Sequence, residues 1–411
     1  MVVLYEPLTK YIHPAFKYMD EFLAVCLVLS SLLHVSLTKE TVLFSFEKQI
    51  TLALLVIFLI GTVPYALGNP PNGMMAYLTD LTIFYKIFAV YFSVRILYRN
   101  WNMVQWERTV VAWVSLIILL LACLVVLDKI FVFIPHKDIR FGFYNEELFF
   151  GHSSRYAFFF QFAFIVLLPY LVKRNRLFLI LVLFLGGLSL RFKYFGFLPF
   201  AFLFMFGKGM VNTLKYNYIR TLLVLALISG TTLFAFWEHV KQNFLSEGYA
   251  RAQLTRKSFQ IARDHFPVGS GFGTYGSHAS GKYYSKIYYT YRLNTMYGLS
   301  KNDARFVADT FWPMVLGQFG YAGLLAYCFI MLCFFRLLIE HLKTSDDDLT
   351  YFNISAILLL LCLIIDSSSD SILTHNRAVM AFFYIGIVVN MNNRKAHPMG
   401  EQTAVENSID Q

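Results

Sequence analysis

Charge is scarce in this chain: Asp, Glu, Lys and Arg make up 15% of its 411 residues, against 57% hydrophobic side chains. So few charges cannot cover a water-soluble surface of this size, and much of the apolar material must face lipid. Alternation is missing as well. The apolar blocks are continuous rather than ten-residue alternating segments, which excludes a transmembrane β-barrel. No cleavable signal peptide is evident: roughly twenty mixed residues, Lys10 and Lys17 among them, precede the first apolar block, and no small-residue cleavage site follows it. Metal spacing is absent from the cysteines, Cys26, Cys123, Cys328, Cys333 and Cys362. All of them fall in apolar blocks and read as small packing groups. No internal repeat is visible, and neither a cofactor nor a metal is expected.

What is present is a series of blocks long enough to cross a hydrocarbon core as helices. Eleven are read, at roughly 20–37, 49–67, 76–95, 109–127, 155–172, 176–190, 194–212, 218–237, 310–337, 352–366 and 373–391. They predict an all-α polytopic membrane protein with about 11 (10–12) transmembrane helices in one domain, 1–391, followed by a polar, disordered tail at 392–411. Basic residues in the short connections set the orientation: Arg95, Arg99 and Arg108, then Lys173, Arg174 and Arg176, then Lys208, Lys215 and Arg220, then Arg336 and Lys343, then Arg394 and Lys395. The positive-inside rule makes that side, and the tail, cytoplasmic. The connections 128–154, 191–193 and 238–309 are then extracytoplasmic. Lys86 is the only charge read at the centre of a block.

The long loop 238–309 differs in kind from the other connections. It carries basic Lys241, Arg251, Arg256, Lys257, Arg263, Lys282, Lys286, Arg292, Lys301 and Arg305 against Glu238, Glu247, Asp264, Asp303 and Asp309. Tyr249, Tyr275, Tyr283, Tyr284, Tyr288, Tyr289, Tyr291 and Tyr297 are interleaved with them, and His278 lies among them. A loop of this length is seldom filler. Flat amphipathic rings suit the apolar faces of sugars, or an interfacial belt.

Within it, Pro267 to Gly276 contains a literal G-x-G-x-x-G at Gly271, Gly273 and Gly276. No βαβ pattern flanks the run, so a dinucleotide fold is rejected. A plain turn and an oxyanion-holding nest of backbone N–H groups both remain open. Arg251 and Arg256 precede the run on an amphipathic stretch, 249–264, and Arg191 stands at a span end. A guanidinium keeps its charge and forks onto phosphate, although a single arginine at a span end commonly just snorkels.

Asp309 stands immediately before a glycine-punctuated span, where a carboxylate serves either as a base on a hydroxyl or as a helix cap. Arg140 and the pair His152 and Arg155 form another polar group in the connection before the fifth block. Asp366, Asp370, His375 and Arg377 lie close enough together in sequence to pair. Ser345-Asp346-Asp347-Asp348 reads as a helix cap, Ser345 with Asp348, rather than a metal site.

Taken in order, these pieces over roughly 140–330 resemble the bacterial O-antigen polymerase (Wzy) and O-antigen ligase superfamily of membrane glycosyltransferases. The resemblance rests on Gly151-His152-Ser153-Ser154, Ser189 to Arg191, Arg251 before Pro267 to Gly273, and Asp309 to Gly323. Ligases carry a His-Asn pair where this chain has Asp309-Thr310, which moves the reading towards a polymerase. Ser153-Ser154 replaces Pro-Asn beside His152.

The resemblance implies a GT-C-like fold in a bacterial cytoplasmic (inner) membrane. It also implies undecaprenyl-pyrophosphate-linked oligosaccharides as substrates, polymerised without a metal and with inversion. Arg191 and Arg251 would hold the pyrophosphate, with Arg256 next, and Asp309 would act as base or orient the acceptor. Lys257, His152, Arg155, Arg140, Gly271, Gly273, Tyr275, His278 and Tyr284 are the further expected substrate contacts. Partners would be the lipid-linked substrate and membrane lipids, with a chain-length regulator as an optional one, and no nucleic acid. A ligase-type transferase is the near alternative; a transporter or flippase, or a membrane scaffold, is more distant.

Overall fold

The computed structural model describes residues 7–39, 45–68, 72–99, 101–132, 139–140, 142–206 and 248–396, with scattered positions between 213 and 246. The elements are α1 (Met19–Thr38), α2 (Ser45–Ala66), α3 (Met74–Leu97), α4 (Glu107–Phe131), the two-residue strands β1 (Ile139–Arg140) and β2 (Phe143–Tyr144), α5 (Ser153–Leu171), α6 (Arg176–Gly187) and α7 (Phe192–Phe206). After the long loop opens come α8 (Ala250–Asp264), α9 (His278–Lys282) and α10 (Lys286–Thr290). The bundle resumes with α11 (Phe311–Thr344), α12 (Asp347–Ser367) and α13 (Asn376–Ala396).

The architecture is that of an all-α membrane protein. Six described segments are long and apolar enough to cross a bilayer: Pro14–Thr38, Ser45–Ala66, Met103–Phe131, Ser153–Leu171, Phe311–Thr344 and Asp347–Ser367. α6 and α7 are apolar but shorter. Every expected block except 218–237 coincides with a helix, and that one lies mostly outside the described residues. The beginning of the long loop and the end of the tail, 397–411, lie outside them too.

The tail begins later than expected. α13 continues to Ala396 because Asn392 Nδ2 donates to Val388 O and the Asn392 and Asn353 amides bond each other reciprocally, at 2.9 and 3.0 Å. The cap of α12 is also shifted: Asp346 Oδ1, not Ser345 or Asp348, accepts Leu349 N–H, and Ser345 bonds Leu342 O instead.

Lys86 is not the only ionisable group inside the bundle. It is buried against Asp20 and Glu21 of α1. Arg95 of α3 is buried against Glu47 of α2, and Asp80 of α3 is buried against the long loop.

The long loop is a folded unit rather than an excursion. Leu254, Ser258 and Ile261 follow helical spacing on one face of α8 and are fully buried, while Arg256 and Phe259 face out. Leu254 and Ile261 join Tyr275, Ile287, Tyr288, Leu293, Leu299 and Val307 in a core separate from that of the bundle. Each such aliphatic side chain contributes roughly 1.5–3 kcal/mol when fully buried.

The glycine run enters the bundle. α11 breaks its helical conformation at Gly320, where φ is +63°. The Gly317 and Gln318 carbonyls just before that break accept Ser270 N–H and Gly271 N–H at 3.0 and 2.8 Å. Phe272 N–H reaches Gly61 O of α2, and Gly273 N–H reaches Asp80 Oδ2 of α3 at 2.7 Å. A Cβ on Gly273, at φ +69°, would stand 2.5 Å from Ala76 O, so no other residue fits without displacing α3.

Candidate functional site

Arg191 follows a turn held on several sides. α6 ends at Gly187 and α7 begins at Phe192. Tyr156 OH donates to Leu185 O, Tyr194 OH donates to Leu183 O, and Glu146 N–H donates to Leu188 O. So fixed, Arg191 Nε donates to Ser153 Oγ at 2.6 Å, and its Nη2 lies 3.0 Å from His152 Nε2. Asn145 Nδ2 donates to the same Ser153 hydroxyl. Ser153, the residue after His152, therefore holds the arginine while itself being held by Asn145. His152 in turn caps α5, its Nδ1 lying 3.2 Å from Ser154 N.

A second strand of the site joins the loop to the C-terminal helices. Trp312 Nε1 donates to Ser367 Oγ, and the Ser371 hydroxyl donates to Ala308 O. These bonds bring Asp309 beside Asp370. Asp309 is not the helix cap, a place taken by Thr310. Its Oδ2 accepts from Arg251 Nη2 of α8 at 2.9 Å. Asp370 Oδ2 accepts from Arg377 Nη2 at 2.6 Å, with Lys193 Nζ at 3.5 Å; His375 Nε2 is 3.8 Å from the other oxygen. Lys193 also stands 3.7 Å from Asp366 Oδ1.

Electrostatics connect the two strands. Arg191, Lys193, Asp370 and Arg377 all act on His152, and Arg251, Asp370 and Lys193 act on Asp309. Burial, followed by the Arg191 charge, pushes His152 down to about 4, so it is neutral at physiological pH. A neutral imidazole has one accepting nitrogen, so it accepts from either Ser154 N–H or Arg191 Nη2, and a second ring proton would leave it no acceptor for either. Burial raises the Asp309 carboxyl above its usual range; Arg251 opposes this and Asp370 reinforces it. Burial also works against the Asp370 charge, but Arg377 and Lys193 win and hold it well below the usual carboxylate range.

Among the described residues, Arg155, Arg191, Lys193, Arg251 and Arg377 gather here with Asp309, Asp366 and Asp370, so that cations outnumber acids; Lys86, paired with Asp20 and Glu21, also reaches His375. α5, α7, α11 and α13 also begin at this end of the bundle and direct their positive dipole ends towards it. An anion with several oxygens fits such an environment.

The structure thus brings together His152, Arg155, Arg191, Arg251 and Asp309. It adds Lys193, Asp366, Asp370 and Arg377, of which the Asp370–Arg377 pairing was legible in their spacing. Other expected contacts lie elsewhere. The amides of Gly271 and Gly273 are engaged by the bundle, so the run is a packing wedge and not an anion nest. Tyr275 is fully buried with its hydroxyl on Leu254 O, and Tyr284, half-buried, donates to Leu299 O.

Arg256 is exposed on α8, about 140° round the axis from Arg251 at 3.6 residues per turn. Lys257 bonds Gln260 of its own helix. His278 opens α9 with its side chain exposed. Arg140 sits in β1, on the small hairpin.

Chemically, the cluster offers cations for an anionic group, a carboxylate with a raised pKa to receive a proton, and a neutral imidazole beside Arg191. No protein-family model matches the chain, and no curated protein sequence matches it.

Proposed function

We propose that this chain is a polyprenyl-pyrophosphate-dependent glycosyltransferase that polymerises lipid-linked oligosaccharide repeat units at the extracytoplasmic face of a bacterial cytoplasmic membrane. The observation that carries the reading is the meeting of Arg191, Arg251 and Asp309, far apart in sequence, in one cation-rich cluster.

In this reading the pyrophosphate lies among the cations, at the end of the bundle where four helices begin. The acceptor sugar hydroxyl attacks the anomeric carbon of the donor as the bond to the pyrophosphate oxygen breaks, with inversion. The hydroxyl proton passes to Asp309, which burial makes a stronger base than a free carboxylate. The departing charge is stabilised by Arg191 and its neighbours in a partly buried, low-dielectric setting. Neutral His152 adds no competing proton, and its contact with Arg191 fixes the guanidinium plane.

Deletion of the gene in its native host, with complementation, tests this. Single repeats on the acceptor are expected in the deletion strain, and long polymer on reintroducing the wild-type gene. Long chains stranded on the carrier lipid would identify a ligase instead. Repeat units trapped on the cytoplasmic leaflet would identify a flippase.

A further inference from the structure

Lys193 occupies an unusual position. Its side chain is 11% exposed, with Nζ between two carboxylates, 3.5 Å from Asp370 Oδ2 and 3.7 Å from Asp366 Oδ1. Both separations are long for a charge-assisted hydrogen bond, which closes to about 2.7–2.9 Å. Asp370 already has Arg377 at 2.6 Å. Asp366 is 1% exposed, and neither of its oxygens accepts a hydrogen bond from a described residue. Arg377 is 4% exposed, and its Nη1 likewise donates to none of them. A buried carboxylate and a buried guanidinium corner without hydrogen bonds are costly, and natural sites keep them where another group completes the set.

We infer that Lys193 and Arg377 form a second anion-binding arm alongside Arg191. Lys193 moves off Asp366 onto the far phosphate of a bound diphosphate, so the site selects a prenyl diphosphate over a monophosphate. The inference rests on the reading of this cluster as a prenyl-phosphate site and adds which residues count the phosphates. Arg191 and Arg251 hold one phosphate in either ligand. Lys193 has a new partner only when a second phosphate is present. Asp366 is then the group that competes with the ligand for the ammonium.

The test is equilibrium binding of farnesyl diphosphate and farnesyl monophosphate to the purified full-length protein in detergent. Wild type is expected to bind the diphosphate at least about tenfold more tightly, about 1.4 kcal/mol. Lys193→Met should bring the two ligands to near parity without weakening the monophosphate, and Lys193→Arg should restore most of the preference. Asp366→Asn should tighten the diphosphate several-fold, because the competing charge is gone. Equal loss of both ligands in Lys193→Met, or a weaker diphosphate in Asp366→Asn, would show a merely structural lysine and overturn the inference. Wild type binding neither ligand would overturn the functional reading along with it. A diphosphate preference that depends on Lys193, in a protein that makes no polymer from lipid-linked sugars, would leave the arm standing and remove the polymerase reading alone.

Discussion

The bundle carries buried charges at both ends, and the two groups are built differently. At the end where α3 and α13 finish, Glu47 accepts Arg95 Nε at 2.5 Å and Nη2 at 3.2 Å, and Tyr91 OH donates to the same carboxylate at 2.7 Å. Asn390 accepts from Arg95 and donates to Val94 O. Short bonds from three helices converge there on the Arg95–Glu47 pair, with His341 close enough to feel both charges. At the loop end, cations outnumber acids among the described residues, Lys193 is shared at 3.5 and 3.7 Å, and Asp366 accepts no hydrogen bond from a described residue. A closed network ties helices together; an open one keeps capacity for a ligand. The first should be read in stability and the second in activity.

That contrast is most exposed at Asp309. Asp309→Asn removes the proton acceptor while keeping the Arg251 contact, and polymer formation should fall by about 10²–10⁴-fold, the usual worth of a general base. Its thermal unfolding should stay close to wild type. Glu47→Ala should do the reverse. Leaving Arg95 buried without its carboxylate costs about 3–5 kcal/mol, seen as a large drop in melting temperature, while protein that remains folded keeps its turnover. A normal melting temperature for Glu47→Ala would erase the distinction between the two ends.

Gly273→Ala probes the wedge between the loop and α3. A positive φ and a carbonyl 2.5 Å from the new Cβ should destabilise the protein by about 1–3 kcal/mol, measurable as accelerated proteolysis of the loop. A smaller effect sharpens the electrostatic account. Asp309 must be ionised to accept a proton, so activity should fall as pH drops through its raised pKa. Asp370→Asn removes the neighbouring negative charge, lowers the Asp309 pKa and should move the acid limb of the pH–rate profile to lower pH. An unmoved limb would mean that the two carboxylates do not communicate.

The helices were legible because long apolar blocks in a charge-poor chain have few alternatives. The amphipathic stretch before the glycines was legible for a similar reason, in the spacing of Leu254, Ser258 and Ile261. Arg191, Arg251 and Asp309 could be singled out individually, but their meeting could not: it depends on Trp312 bonding Ser367 and on the Ser371 hydroxyl reaching Ala308 O, contacts between distant segments. Lys193 was visible only as a basic neighbour of Arg191, since its partners lie some 170 residues later, at Asp366 and Asp370. The glycine run stayed ambiguous because its spacing fits an anion nest as well as a plain turn. What decides between them is the break in α11 at Gly320, which puts the 317 and 318 carbonyls within reach of the loop amides. Nothing local to 267–276 encodes that.

The most direct test of the central claim is turnover of a synthetic polyprenyl-pyrophosphate-linked repeat unit by the purified protein, with products resolved by chain length. Wild type should yield a ladder of polymers, and Arg191→Ala, Arg251→Ala and Asp309→Asn should each lose it, to a trace at most, while remaining folded. A full ladder from all three variants would contradict the assignment of this cluster as the reacting site.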